Sequence, residues 1–330
     1  MQHVRLGSTG LRVSRIALGT MTFGLQCDEQ TSRAILDTAF EAGVTLLDTA
    51  DVYPVGGTLE TVGRTEEIIG RWLPGHRDQV VLATKGYGRT GPAEWDQGNS
   101  RVHLTAALDA SLRRLGTDHV DLYQLHGPDP GTPIDETLET LDGFVRAGKV
   151  RYVGVSNFPA WQVARAVGRA EATRLTRPDS VQPRYNLLFR QFERELFPLA
   201  AAEGLGVLPY NPIAGGLLSG KYRSGPTPPE IGRFTLGTAA DLYRRRYWHD
   251  RAFATVEALR GIADQAGLAL PTMATAWVLA NPVITAPIVG ASSPGQLAAT
   301  LAAAEVHLDD DLCQQLDDLT IEYRYGDADR

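Results

Sequence analysis

Four side chains in this chain have the types and spacing needed to move a proton beside a reacting carbon: Asp48, Tyr53, Lys85 and His126. A phenol with its ordinary pKa of about 10 is a weak proton donor to a developing alkoxide unless a nearby cation tunes it. Lys85 can supply that charge, and a lysine in a partly apolar mouth needs an acid partner, for which Asp48 is suited. A neutral imidazole at position 126 can donate a hydrogen bond to a carbonyl oxygen, directing and polarising it. The set is coherent for adding a hydride to a carbonyl, with Tyr53 as general acid. Taken singly, each residue has a plainer reading. Asp48 could cap a loop, Tyr53 sit in a turn before Pro54, Lys85 end a solvated strand, and His126 be a satisfied histidine beside Gly127-Pro128.

Position favours the joint reading, because the four residues fall at or just beyond the ends of successive short apolar runs. Those runs are 15–18, 45–47, 80–84, 122–125, 152–155, 180–181, 206–208 and 285–289. Their Val, Ile and Leu content and short length read as buried parallel strands. Between them lie amphipathic stretches expected to be helical: 31–42, 65–72, 101–115, 134–147, 159–172, 190–203 and 250–266. Gly43, Gly116, Gly148, Gly204 and Gly267 stand where left-handed C-terminal caps belong. Eight strand–helix units with right-handed crossovers close into a (β/α)8 TIM barrel, whose chemistry sits at the carboxyl ends of its strands. Residues 3–6 and 11–14 flank a turn-prone insert and read as an N-terminal β-hairpin. Residues 271–280 and 309–319 read as extra C-terminal helices, with the tail beyond them frayed. Long connections at 86–100 and 217–249, the second carrying Pro226, Pro228 and Pro229, are candidates for a substrate wall or lid.

The 330 residues are 43% hydrophobic, and no linker or low-complexity tract divides them, so residues 1–330 are expected to form a single domain. A formal net charge of -7 argues against a nucleic-acid surface. The basic run Arg244–Arg246 reads as a solvated loop or helix face. The two cysteines, Cys27 and Cys313, offer neither a disulfide framework nor a metal knuckle, which suits a reducing cytosol. There is no apolar run of roughly 20 residues and no signal pattern, so the expected location is cytoplasmic, away from membranes.

Several motifs together resemble the aldo-keto reductases. They are Leu6-Gly7 with Gly10-Leu11-Arg12-Val13-Ser14, Leu18-Gly19-Thr20-Met21, Leu47-Asp48-Thr49-Ala50-Asp51-Val52-Tyr53, Ala83-Thr84-Lys85, Asp121-Leu122-Tyr123-Gln124-Leu125-His126 and Gly154-Val155-Ser156-Asn157-Phe158. The resemblance spans nearly the whole chain. It implies a catalytic tetrad of Asp48, Tyr53, Lys85 and His126, with hydride transfer from NADPH to an aldehyde or ketone and no metal.

Cofactor positions follow from the same resemblance. Ser156, Asn157 and Gln182 match residues that hydrogen-bond the nicotinamide carboxamide, and Tyr210 matches the aromatic that stacks on its ring. Gly19, Thr20 and Met21 would leave room where nicotinamide and substrate meet. Asn211, Pro212, Ile213, Ala214, Gly215, Leu217, Ser219 and Lys221 look like the loop along the pyrophosphate, where small residues let backbone amides approach an anion. Gly290, Ser292 and Gln296 match the adenosine end, at a helix start that favours phosphate. This chain has Ala299 and Thr300 where many members carry an acidic or amide residue, and it lacks their basic residue near Ser292. Binding of a 2'-phosphate would then fall to Ser292, Lys221 and Arg233, which keeps NADPH ahead with NADH possible. Pro54 replaces the usual glycine after the catalytic tyrosine and should reshape the pocket rather than abolish catalysis.

Expected pocket walls are Met21, Phe23, Tyr53, Tyr87, Trp95, Phe158 and Trp248, an aromatic lining suited to hydrophobic carbonyls. Two other readings stand beside general carbonyl reduction. One is a biosynthetic reductase of a keto-sugar or polyketide carbonyl. The other is a nicotinamide-binding regulatory subunit resembling potassium-channel β subunits. Apart from that last case, the only expected partner is a small-molecule substrate, with the protein a monomer or weak homo-oligomer.

Overall fold

The computed structural model describes residues 1–225, 228 and 232–327. The prolines Pro226 and Pro229 of the second long connection lie outside the described residues. The chain opens with an antiparallel hairpin, β1 (His3–Arg5) and β2 (Arg12–Ser14). Eight parallel strands follow: β3 (Ala17–Gly19), β4 (Leu46–Asp48), β5 (Val81–Gly86), β6 (Val120–Leu125), β7 (Val150–Ser156), β8 (Ser180–Gln182), β9 (Gly206–Val207) and β10 (Ile288–Val289). From β3 to β9 each strand pairs with the next in sequence, and β10 pairs with β3. Backbone bonds Thr285 N to Val207 O (2.9 Å) and Ile288 N to Pro209 O (2.8 Å) tie the last strands together, closing the (β/α)8 barrel.

The parity of the strands divides the core. Leu46, Ala83, Leu122 and Leu208 fill the barrel interior, and Leu6 and Val13 of the hairpin plug its N-terminal mouth. The alternate residues pack outward against helices α1 (Glu29–Glu41), α2 (Arg64–Trp72), α3 (Arg101–Leu115), α4 (Ile134–Arg146), α5 (Ala160–Thr173) and α6 (Leu196–Glu203). Caps explain the helix ends. The Asp28 carboxylate accepts from Thr31 N at 2.8 Å to start α1, and Gly116 and Gly204 adopt left-handed φ values of 66° and 64° after α3 and α6.

Three expectations are corrected. The helix expected over 190–203 begins only at Leu196. Arg190 is held out of helical geometry by its bonds to Glu193, the Asp317 carbonyl and Thr320, while its amide donates to Tyr323 O. The described part of the tail, residues 320–327, is ordered rather than frayed: Ile321–Tyr325 forms a 3-10 turn in which Tyr323 is buried and hydrogen-bonds Thr255 at 2.8 Å. The long connection after β9 contains an unanticipated helix, α7 (Ala240–Tyr247). Its Arg244-Arg245-Arg246 run masks the apolar periodicity that would have marked it. The chain continues through α8 (Asp250–Gln265), α9 (Leu270–Ala280), α10 (Pro294–Leu301) and α11 (Asp310–Leu319). Among the described residues, no helix is long and apolar enough to cross a membrane.

Candidate active site

At the carboxyl end of the barrel, β4 and β5 present Asp48 and Lys85 to the interior. In the β4–β5 register Asp48 faces Ala83, so Lys85, two residues further along, shares the inward parity of Ala83. Lys85 is fully buried, and its Nζ donates to Asp48 Oδ1 at 2.5 Å and to the Thr49 carbonyl at 2.7 Å. The other Asp48 oxygen accepts from the side-chain amides of Gln182 (2.8 Å) and Gln124 (3.1 Å). Two buried charges are tolerable only when paired and hydrogen-bonded in this way.

Tyr53 and His126 form the floor above this pair. Their rings meet edge to face, with centroids 5.7 Å apart, and Lys85 Nζ lies 5.1 Å from the Tyr53 ring centroid. Burial lowers the His126 pKa to about 3, and the Lys85 charge adds to the effect, so the imidazole is neutral at physiological pH. The Tyr53 phenol moves the other way from the sequence expectation, in which Lys85 depresses it. Burial raises it well above its ordinary value, and the Asp48 charge adds to the rise. The lysine's charge is already directed at Asp48.

Asp48, Tyr53 and His126 line a cavity of about 1220 Å³, larger than a small substrate alone requires, with Lys85 buried behind its wall. It gathers Gly19, Thr20, Met21, Ser156, Asn157, Gln182, Tyr210, Asn211, Pro212, Ile213, Gly215, Ser219, Lys221, Arg233, Gly290, Ser292 and Gln296 on one continuous wall. Ala214 and Leu217 do not join them, because their side chains are buried in the core. The Tyr210 hydroxyl donates to Asn157 Oδ1 at 2.9 Å, and the Asn157 amide donates to His126 O at 2.8 Å, linking three strand ends. Asn211, with φ 65°, accepts from Gly215 N at 3.1 Å, and Asn186 and Tyr247 brace the loop from behind. Gln296 Oε1 accepts from both the amide and the hydroxyl of Ser292 at the start of α10.

The walls differ from expectation. Of the seven predicted lining side chains, Met21 and Tyr53 line the cavity. Phe23 and Phe158 are core residues, Trp95 is exposed, and Trp248 packs on Tyr222, Phe234 and Phe253. Tyr87 sits against Gly127, outside the cavity wall. The connection 86–100 folds back on the segment after β6, through Asn99 Nδ2 to Gly127 O, and gives no wall. The second connection does, through Leu236, Leu242, Tyr243 and Arg246. Gln124 was also missed as a partner of Asp48, although its inward parity beside Lys85 in the β5–β6 register is a legible signal.

The cavity fits a dinucleotide. Gly215 and Gly216 have φ values of 67° and 98°, and a Cβ at Gly215 would meet Tyr243 at 2.9 Å. Arg233 Nη1 is a buried donor with no partner among the described residues, of the kind a phosphate oxygen satisfies.

Comparison with known proteins agrees with this geometry. The aldo/keto reductase family profile matches residues 15–321. An uncharacterized oxidoreductase of Bacillus subtilis, YrpG, is 39% identical across 97% of this chain and 96% of its own. A probable voltage-gated potassium channel subunit beta of Arabidopsis thaliana is 36% identical over 93% of this chain and 92% of its own. Norsolorinic acid reductase stcV of Emericella nidulans is 32% identical over 96% and 80% respectively. The chain belongs to the aldo/keto reductase family.

Proposed function

We propose that this protein is a single-domain, NADPH-dependent reductase of aldehydes or ketones, in which Tyr53 protonates the forming alkoxide. The observation that carries the reading is the buried Asp48–Lys85 pair directly beneath Tyr53 and His126, at the floor of a cavity large enough for dinucleotide and substrate. When bound, the reduced nicotinamide supplies the hydride. Ser156, Asn157 and Gln182 would hold its carboxamide and Tyr210 its ring, the loop from Asn211 to Lys221 would bind the pyrophosphate, and Ser292 and Gln296 would hold the adenosine end. Arg233 lies against Tyr243 and Gly215, which matches it to the pyrophosphate rather than to the 2'-phosphate.

His126 directs the carbonyl by donating a hydrogen bond, which a neutral ring can do without delivering a full charge. Tyr53 keeps its proton because burial raises its pKa, and it releases that proton only as alkoxide charge develops beside it. Lys85 Nζ, 5.1 Å from the Tyr53 ring centroid, attracts the emerging tyrosinate most strongly after the proton has left.

A second reading rests on the 36% identity to a potassium channel subunit beta: a nicotinamide-binding regulatory subunit. Stopped-flow oxidation of bound NADPH by 4-nitrobenzaldehyde separates the two. The reductase reading expects turnover, and tight NADPH binding without oxidation by any carbonyl in a broad panel favours the regulatory subunit. A biosynthetic ketone reductase would show itself in the same panel as a preference for bulky ketones over simple aldehydes.

A further inference from the structure

The basic run Arg244–Arg246 reads as solvent-facing in the sequence, and Arg245 is so, while Arg244 and Arg246 are both half-buried. Arg244 pairs with Asp241 and Arg245 is exposed. Arg246 is different. One helical turn beyond Leu242 and Tyr243, it shares the face of α7 that lines the cavity, and it is half-buried there. It has no ion pair or hydrogen bond among the described residues, whereas the buried Arg184 and Arg190 each hold a carboxylate.

The electrostatic surroundings sharpen the contrast. Among the described residues, the only carboxylate on the cavity wall is Asp48, which is committed to Lys85, against three cations: Lys221, Arg233 and Arg246. Lys221 and Arg233 belong to the loop and turn assigned above to the cofactor phosphates. Arg246 lies instead toward Tyr210, where its charge is the largest influence opposing the burial that raises that phenol to about 12. A half-buried guanidinium with no protein acid to satisfy it is a site for an anion, and its planar fork suits a carboxylate.

We propose that Arg246 is a specificity-determining residue that recognises a negatively charged group on the carbonyl substrate, making carboxylate-bearing aldehydes or ketones the preferred class. This rests on the reductase reading above. The reacting carbonyl would lie between Tyr53 and His126, and the anion at the α7 side of the mouth.

The test compares 3- and 4-formylbenzoate with their methyl esters as substrates, since each pair differs at the reactive end only slightly but by a full charge at the other. For the wild-type protein, kcat/KM for the better acid should exceed that for its ester by at least about tenfold, the discrimination of a charge-assisted contact. Arg246→Gln should lower that acid-to-ester ratio by about tenfold or more, Arg246→Lys should restore part of it, and Arg245→Gln should leave it unchanged. Calorimetric titration of the NADP-loaded protein with benzoate and benzamide gives a readout independent of turnover, with benzoate preferred only while residue 246 is cationic. An acid-to-ester ratio near one in the wild type overturns the proposal. So does an unaltered ratio in a folded Arg246→Gln variant, and a large loss of NADPH affinity with an unaltered ratio would assign the arginine to the cofactor. If neither acids nor esters are reduced, the reductase reading fails, while the benzoate preference still decides the anion site.

Discussion

Lys85 and Asp48 are worth most to one another because both are buried. Removing the carboxylate by Asp48→Ala strands the ammonium and should cost about 3–5 kcal/mol, read as a lowered midpoint in chemical denaturation. A loss below about 1 kcal/mol would mean the pair is not buried in solution. The pH behaviour follows from Tyr53 and His126. The phenol, raised by burial, stays protonated through the neutral and mildly alkaline range, and the imidazole, lowered to about 3, stays neutral down to acid pH. The reduction rate should therefore be level from about pH 6 to 9 and decline only above the ordinary tyrosine value of about 10. An inflection near pH 6.5 would show His126 titrating normally. Stability responds in a linked way. The unfolded His126 binds a proton near its ordinary pKa of about 6.5, while the folded one resists until about 3, so stability should fall as pH drops through that window.

Among the elements, the loop after β4 and the loop after β9 meet across the cavity. Gly56 and Gly237 have φ values of 88° and 44°, and a Cβ on Gly237 would lie 2.1 Å from the Gly56 carbonyl oxygen. Gly237→Ala must therefore part the two loops, and NADP should dissociate several-fold faster in stopped-flow fluorescence; an unchanged rate would show that this contact does not retain the cofactor. Neither the contact nor α7 was legible in the sequence, because both depend on how a connection of over thirty residues folds back, which no local periodicity encodes. The strands were legible for the opposite reason. All but β9, which runs into Leu208-Pro209, are short apolar runs ended by a polar group or glycine, and the expected left-handed caps at Gly43, Gly116, Gly148, Gly204 and Gly267 all have positive φ. Asp48, Tyr53, Lys85 and His126 could be placed together because barrel topology brings strand ends to one rim. The aromatic walls at Trp95, Tyr87 and Trp248 could not, since their loops are aimed by tertiary contacts such as Asn99 to Gly127 O.

Across the whole molecule, distant segments are tied into one body. Arg15, just before β3, donates to the carbonyls of Ile284, Thr285 and Leu279, and Arg184 reaches Asp327 near the chain's end. The proposed single domain should unfold in one calorimetric transition, shifted upward by NADPH according to its affinity; two separable transitions would divide the barrel from its C-terminal helices. The central claim is that this assembly positions Tyr53 as the proton donor in carbonyl reduction. Single-turnover oxidation of bound NADPH by 4-nitrobenzaldehyde, compared between wild type and Tyr53→Phe, tests it most directly. The variant should still bind NADPH but oxidise it at least about 100-fold more slowly, the scale of a lost general acid. Equal rates in the two proteins, or bound NADPH that no carbonyl oxidises in either, would contradict it.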